Sequence, residues 1–269
     1  MGNVWDRTAE FLSANARVIL PIALIALVLP NTVNVLIGGA AATINLVIVQ
    51  GYALVCALIA LWGQLAVAAL ALDPEGGRAR AMADATGNFG RAVAAMLIVF
   101  VIFAVLALPV IGVFVASGVD LSALSGGIAQ ANMWRGTAMF VTIYGLVLGV
   151  VVVVITIRLA LLYAVILAEG GVIAAIKRAW ALSRGIAWKM IGVWLLFTIV
   201  YLVANAAVTS GVGAVLGLFA DMTSPFSVGR ILVAILSGLV TAAFTLIVAA
   251  FSAKLYRAAT APREGVPAA

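Results

Sequence analysis

The residues best suited to bind a ligand form a basic cluster between two long apolar runs. Residues 169–188 read EGGVIAAIKRAWALSRGIAW, and together with the next residue, Lys189, they contain four of the fifteen Lys and Arg residues of the chain. These four cations are Lys177, Arg178, Arg184 and Lys189. Near an anionic surface each basic residue contributes about 1 kcal/mol to the binding of phospholipid headgroups. The cations could equally serve only to fix the membrane topology, because basic residues also determine which side of a membrane a loop occupies.

A fifth basic residue, Arg158, lies inside the apolar run that precedes this cluster. Ionisable groups within a membrane span are costly and usually face a partner or a water-filled cavity. Arg158 comes eleven residues, or about three helical turns, before Glu169, so the two side chains share one face of a helix. Arg158 is therefore a candidate for a headgroup or ion site between helices. The interpretation that we favour is simpler: the side chain snorkels from a long helix to the interface.

The cluster has the pattern of a short amphipathic helix. At ~100° per residue, one face comprises Val172, Ile176, Ala179 and Ser183, with Ile173 and Trp180 beside it. Lys177 and Arg184 fall at the edge of that face, and Arg178 lies further round. An apolar face that carries Trp and is edged by cations suits a helix lying in a headgroup layer. We therefore expect residues 169–188 to form a loop with an interfacial helix.

The same segment carries a motif. Its positions are Glu169, Gly170, Ala175, Arg178, Ala179, Trp180, Leu182, Ser183, Gly185 and Trp188. An apolar helix is predicted directly after this motif. The motif resembles the signature loop of the glycerophosphodiester phosphodiesterase membrane-domain family and its small stand-alone relatives. Family members that hydrolyse glycerophosphodiesters do so with a separate soluble barrel of acidic and histidine residues. The chain has no histidine and is too short for that barrel, so the resemblance implies the membrane module alone.

The composition indicates an integral membrane protein without a catalytic centre. Hydrophobic residues make up 66% of the chain and charged residues 9%, whereas soluble domains are about one quarter charged. The absence of histidine removes the commonest metal ligand and general base, and the single cysteine, Cys56, cannot form an intrachain disulfide. No nucleophile–base pair, metal-ligand spacing or nucleic-acid module is present. We therefore expect no enzyme, no metal, no cofactor and no nucleic-acid partner.

Hydropathy predicts an all-α, polytopic membrane protein with about six spans in a single domain, residues 1–257. The expected spans are residues 17–37, 44–72, 92–116, 137–168, 186–208 and 228–256, each long enough for a hydrocarbon core. Residues 1–16 should form an interfacial helix, and residues 73–91 and 169–188 the two interfacial loops or helices. Residues 258–269 should be a short disordered tail. The first residues do not have the order of a cleavable signal peptide.

The distribution of basic residues predicts the topology. With six spans, twelve Lys and Arg residues fall on the side of the termini and only two on the other. Cytoplasmic loops carry the excess of basic residues. Both termini and both interfacial loops are therefore expected in the cytoplasm, in a bacterial-type inner membrane.

An internal repeat of one helical hairpin is also expected. At an offset of 94 residues, Glu75-Gly76-Gly77 aligns with Glu169-Gly170-Gly171, and Gln64 aligns with Arg158. The pattern of a descending helix, an interfacial helix and an ascending helix would then occur twice.

These observations lead to one functional hypothesis and one alternative. The first is a non-enzymatic module that binds or organises anionic phospholipids at the cytoplasmic face, beside a membrane-protein partner such as an enzyme, or as a homo-oligomer. The alternative is a small transporter or channel whose polar path includes Arg158, Gln64 and Asn205. Convergence of these three residues on one cavity would favour transport, and separate positions would favour lipid binding.

Overall fold

The computed structural model describes residues 2–39, 45–117, 134–184, 187–219, 221, 224 and 226–261, and within these ranges it contains helices and no strand. The α-helices are α1 (Gly2–Ala14), α2 (Ala16–Ala23), α3 (Leu29–Gly39), α4 (Leu46–Leu72), α5 (Gly77–Ala116), α6 (Arg135–Arg158), α7 (Leu162–Glu169), α8 (Ile173–Ser183), α9 (Ala187–Ala206), α10 (Gly213–Gly217) and α11 (Val228–Thr260). Two π-helical segments, Leu24–Val28 and Ala207–Val212, join α2 to α3 and α9 to α10. The predicted all-α fold is confirmed.

Six helical stretches in this part of the chain are long and apolar enough to cross a membrane, as predicted. They are Ala16–Gly38, Val47–Leu72, Gly77–Ala116, Arg135–Glu169, Met190–Gly217 and Val228–Thr260. Helices suit this role because their backbone hydrogen bonds are all satisfied within the segment, without water. The protein is therefore a multi-pass helical membrane protein.

Small residues let the first span pack closely against two others. A Cβ atom added to Gly63 in α4 would lie 2.7 Å from the Cβ of Ala26. One added to Gly238 in α11 would lie 2.6 Å from the Thr32 hydroxyl and 3.2 Å from the Val28 carbonyl oxygen. Close backbone approach at small residues is a usual means of helix association in membranes. The first span, α4 and α11 thus form a tightly packed centre.

The N-terminal helix α1 packs on the bundle along one face, with Val4, Thr8 and Phe11 buried. The Thr8 hydroxyl donates to the Val4 carbonyl oxygen at 2.7 Å, so no polar group is left unsatisfied by its burial. The neighbouring charged side chains, among them Asp6 and Arg7, are exposed. Residues 1–16 were expected to form an interfacial helix, and the buried face of α1 covers protein, mainly α11.

The expected interfacial helix within residues 73–91 is not a separate element, because α5 runs without interruption from Gly77 to Ala116. One stripe of small buried residues, Ala81, Ala85, Ala92 and Ala95, continues across the predicted boundary. Gly87 and Gly90 fall within this stretch, and each costs only about 1 kcal/mol in a helix interior. Packing of the alanine stripe therefore keeps the helix continuous.

Three pairs of residues that lie 94 positions apart have the same local structure. Gly77 and Gly171 both have left-handed φ angles, +68° and +71°. Ala81 and Ala85 align with Ala175 and Ala179, and all four alanines are at most 3% exposed. Each turn is thus followed by a helix that buries alanines at the same two positions. The repeat of the whole hairpin remains a prediction, since the second copy continues as two helices, α8 and α9, and the first as α5 alone.

Other boundaries differ modestly from those expected. The fourth span is interrupted by a turn after Arg158, with hydrogen bonds from the Ala160 amide to Ile157 and from the Leu162 amide to Leu159. The helix α11 continues to Thr260 and so includes the start of the predicted tail. Residues 262–269, the rest of that tail, lie outside the described residues.

Four segments meet at one end of the bundle, which we call the basic end. They are α1, the turn between α4 and α5, the turn between α7 and α8, and the last turns of α11. Arg7, Pro74 and Arg257 line one cleft there, and Leu167 and Tyr256 lie beside Asp73 and Arg80 in another. Together with the first turn of α5, and with α8 and the Arg184 that follows it, these segments carry eight of the fifteen Lys and Arg residues of the chain.

Candidate functional site

The helix α8 is folded back on the preceding helix by two glycines. Gly170 and Gly171 have φ angles of +69° and +71°, a conformation that residues with a Cβ rarely adopt. The chain reverses there, so α8 packs against α7 and reaches the end of α6. The two glycines thereby determine where the basic cluster lies.

One face of α8 is buried in the protein. Ala175, Ala179 and Ser183, spaced four residues apart, are at most 1% exposed. The Ser183 hydroxyl donates to the Trp180 carbonyl oxygen at 2.9 Å, so this buried donor has a hydrogen-bond partner. Ala179 and Ser183 were expected on this face, whereas Ile173, expected beside it, is 65% exposed. The apolar face thus seats α8 on the protein, and a narrower apolar edge remains accessible.

The accessible edge combines aromatic, aliphatic and basic side chains. Ile173 and Trp180 are seven residues apart, as are Lys177 and Arg184, so each pair is separated by about two turns and nearly aligned. All four side chains are exposed. We call these four residues together with Arg158 the α8 patch. Its two cations lie directly beside its two apolar groups, which is the arrangement of a helix at a headgroup layer.

Arg178 faces the other way and is engaged within the protein. Its Nε donates to the Glu169 carboxylate at 3.3 Å. The Tyr256 hydroxyl, from α11, donates to the same carboxylate oxygen at 2.9 Å. Glu169 therefore joins α7, α8 and α11, and Arg178 has a structural partner, whereas Lys177 and Arg184 form no ion pair with any described residue.

Arg158 is the last residue of α6 and packs on Trp180. Its guanidinium carbon lies 5.3 Å from the centroid of the indole ring, within the range of a cation–π contact. Its Nη1 is buried and has no hydrogen-bond partner in the part of the chain that the structure describes. Buried donors are nearly always satisfied by protein, water or a ligand. The described part of the chain therefore offers no acceptor for this donor.

The three residues of the predicted polar path lie in different places. Gln64 lines a cavity of about 250 Å³ with Tyr163 and Ser252, among mostly apolar side chains. Arg158 does not line this cavity, and neither does Asn205. The Asn205 carboxamide oxygen instead accepts a hydrogen bond of 2.8 Å from the Ser237 hydroxyl. The predicted set does not converge on this cavity.

The remaining motif residues divide between the surface, the core and the part that is not described. Trp188 is 86% exposed, and Leu182 is half-buried against the core. Gly185 lies outside the described residues, and so does the side chain of Lys189. Within the described ranges, no group of three His, Cys, Asp or Glu side chains could hold a metal ion.

The contribution of Tyr256 was missed by the sequence reasoning. Tyr256 lies 87 residues after Glu169, and no local spacing connects the two. The only available signal was the alignment of Tyr163 with Tyr256 near an offset of 93 residues, which pointed to a repeat and not to a hydrogen bond. Long-range contacts of this kind follow from helix packing.

Comparison with known proteins gives no match to any family model, curated protein or solved structure. The resemblance to the glycerophosphodiester phosphodiesterase membrane-domain family therefore remains a prediction from the motif.

Proposed function

We propose that the protein is a non-enzymatic module of a bacterial-type inner membrane that binds or organises anionic phospholipids at the cytoplasmic face. The observation that carries the proposal is the α8 patch, in which Lys177 and Arg184 stand exposed beside Ile173 and Trp180. Apolar groups next to cations match the boundary between acyl chains and phosphates.

The rigidity of α8 supports specific binding to a headgroup. The helix is fixed on one side by Ala175 and Ala179 in the core, and the Arg178–Glu169 ion pair connects it to the end of α7. Cations held in fixed positions lose less freedom on binding than cations on a mobile segment. The patch is therefore preorganised for an anion.

Arg158 extends the patch towards the membrane interior. Its buried Nη1 needs an acceptor, and guanidinium groups pair well with phosphate oxygens. Nη1 is closed to solvent in the structure, so a phosphate beside Trp180 would satisfy this donor after a rotation of the Arg158 side chain. Arg158 would then bind a headgroup and also snorkel to the interface, so the two interpretations from the sequence are compatible.

Transport is the less supported candidate. The cavity beside Gln64 is a feature that a transporter would need, but its lining is mostly apolar. Arg158 and Asn205 have other neighbours, Trp180 and Ser237. The separation of these residues supports lipid binding over a continuous polar path.

The proposal is tested by native mass spectrometry of the purified protein with phosphatidylglycerol. Replacing Lys177 and Arg184 by Gln removes two cations and keeps the apolar edge of α8. At about 1 kcal/mol for each charge, the affinity should fall about 30-fold at low salt. The matched control replaces Arg17 and Arg78 by Gln, which removes the same charge outside the α8 patch, and it should retain most of the binding.

Equal occupancy in wild type and in the Lys177→Gln/Arg184→Gln variant, at both low and moderate salt, would contradict the proposal. The same conclusion would follow if the control lost as much binding, because the effect would then be one of overall charge. Circular dichroism spectra of all three proteins establish that the helices are intact.

A further inference from the structure

A second group of cations, from the two ends of the chain, surrounds a cleft at the basic end. The cleft has a volume of about 470 Å³ and lies between α1 and the last turns of α11. Arg7 lines it from α1, and Lys254 and Arg257 line it from α11. None of these three residues belongs to the predicted basic cluster or to the α8 patch. Their convergence results from the packing of α1 on α11.

The cleft carries a net positive charge. Glu10 is the one carboxylate among its lining residues in the described ranges, against three cations. None of the three cations forms an ion pair with any residue that the structure describes. Arg7 and Arg257 are near enough to repel the charge on Lys254, and Glu10 attracts it. Two positive charges in the cleft are thus left without a counter-charge among the described residues.

The position of Lys254 is fixed by an aromatic ring. Its Nζ lies 4.7 Å from the centroid of Phe11, which is a favourable position for a cation. Phe11 is itself 5% exposed and belongs to the core, so the ring cannot move away. Lys254 is half-buried and is therefore held in the cleft, where solvent screens its charge less than at an open surface.

Space for a ligand remains because the walls nearest the solvent are small. Ala14, Ala258 and Ala261 line the cleft together with the cations. Arg7 and Arg257 are exposed, so their guanidinium groups are free to turn towards a bound anion. Guanidinium groups bind phosphate through two parallel hydrogen bonds, and an ammonium adds a point charge. Two arginines and one lysine around a confined space form a suitable set for a phosphate group.

We propose that this cleft binds a phosphate-bearing anion, either the headgroup of an anionic phospholipid or a free phosphate. In the lipid case the site rests on the proposed function and adds a second, separate headgroup contact at the same end of the bundle. The two sites share no residue. The cleft joins the first and last helices, so a bound anion also links the two ends of the chain.

The test compares two charge-removing variants of the full chain. In Arg7→Gln/Arg257→Gln, both exposed arginines of the cleft are neutralised, and Lys254 is kept because it packs on Phe11. The control is Arg17→Gln/Arg78→Gln. Native mass spectrometry follows titration with short-chain phosphatidylglycerol, without and with inorganic phosphate as a competitor. Because the α8 patch is intact in both proteins, we expect the difference in the second bound lipid: the cleft variant should bind it about 30-fold more weakly than the control at low salt.

Inorganic phosphate distinguishes the two sources of the anion. If it displaces phosphatidylglycerol from the control but not from the cleft variant, the site accepts a free phosphate as well as a headgroup. If it displaces no lipid while the cleft variant still loses affinity, the ligand is the lipid headgroup. The charge-conserving variant Arg7→Lys/Arg257→Lys should recover part of the affinity, since the charge returns without the bidentate geometry.

Equal affinities in the cleft variant and the control would overturn the inference. The variant Lys177→Gln/Arg184→Gln separates this outcome from failure of the proposed function. If that variant loses lipid and the cleft variant does not, the proposed function stands and the cleft is no binding site. If neither variant loses lipid, both proposals fail.

Discussion

Replacing Tyr256 by Phe should destabilise the protein by removing one hydroxyl that connects α11 to α7. The hydroxyl donates to the Glu169 carboxylate at 2.9 Å, and Tyr256 is only 8% exposed. Hydrogen bonds to charged groups contribute roughly 1.5–3 kcal/mol. Because the Glu169 side chain is 38% exposed and partly hydrated, the loss should be at the lower end, about 1–1.5 kcal/mol.

A double-mutant cycle isolates this interaction. Glu169→Ala removes the acceptor at the centre of the network, and the cycle of Tyr256→Phe with Glu169→Ala should give a coupling energy of about 1 kcal/mol. The corresponding cycle with Arg178→Gln should give less than about 1 kcal/mol, since both partners are largely hydrated and exposed pairs contribute little. The two cycles therefore rank the hydrogen bond above the ion pair.

The control for Tyr256 is Tyr163→Phe. Tyr163 is also partly buried in the bundle, but its hydroxyl forms no hydrogen bond with the described residues. Its removal should change the stability by less than about 0.5 kcal/mol. The measurement is reversible unfolding in mixed detergent micelles, followed by circular dichroism. Two results would refute a stabilising hydrogen bond between α7 and α11. One is a coupling energy near zero between Tyr256 and Glu169, and the other is an equal loss of stability in the two Tyr→Phe variants.

Two further predictions concern the packing and the topology. Gly63→Ala should destabilise the protein by about 1–3 kcal/mol, because the added methyl group would lie 2.7 Å from the Cβ of Ala26. Gly51→Ala, in the same helix with no atom within 4 Å, should be neutral or slightly stabilising in the same unfolding experiment. Reporter fusions after Gly87 and Ala179 should both report the cytoplasm, and a fusion after Met222 the opposite side. A periplasmic signal at Ala179 would overturn the topology.

The parts of the fold that follow from local sequence were predicted well. Long apolar runs specify spans, because no other arrangement satisfies the backbone in a membrane. Gly170 and Gly171 lie in the predicted interfacial loop of residues 169–188, and both adopt left-handed angles there. Gly87 and Gly90 lie in the other predicted loop, residues 73–91, but are inside α5. Glycine alone did not distinguish the two cases, since the deciding factor is the buried alanine stripe of α5.

The parts of the site that depend on helix packing were not predictable. Periodicity placed Lys177 and Arg184 at one edge of a helix and Arg178 further round, in agreement with the structure. It could not show that Arg178 is paired with Glu169. Periodicity also could not predict that Arg7 and Lys254 line one cleft, because their proximity depends on the packing of α1 against α11. Composition and spacing describe single helices, and the neighbours of each helix come from the tertiary structure.

The most direct test of the central claim is photo-crosslinking from α8 in a mixed bilayer. A benzophenone side chain in place of Ile173 would stand beside the cations of the α8 patch, and one in place of Ala174 would point about 100° away. In bilayers of zwitterionic lipid with a minor share of phosphatidylglycerol, position 173 should crosslink to phosphatidylglycerol well above its bulk share. Position 174 should not, and Lys177→Gln/Arg184→Gln should abolish the enrichment at 173. Crosslinking in bulk proportion at both positions would contradict headgroup binding by α8.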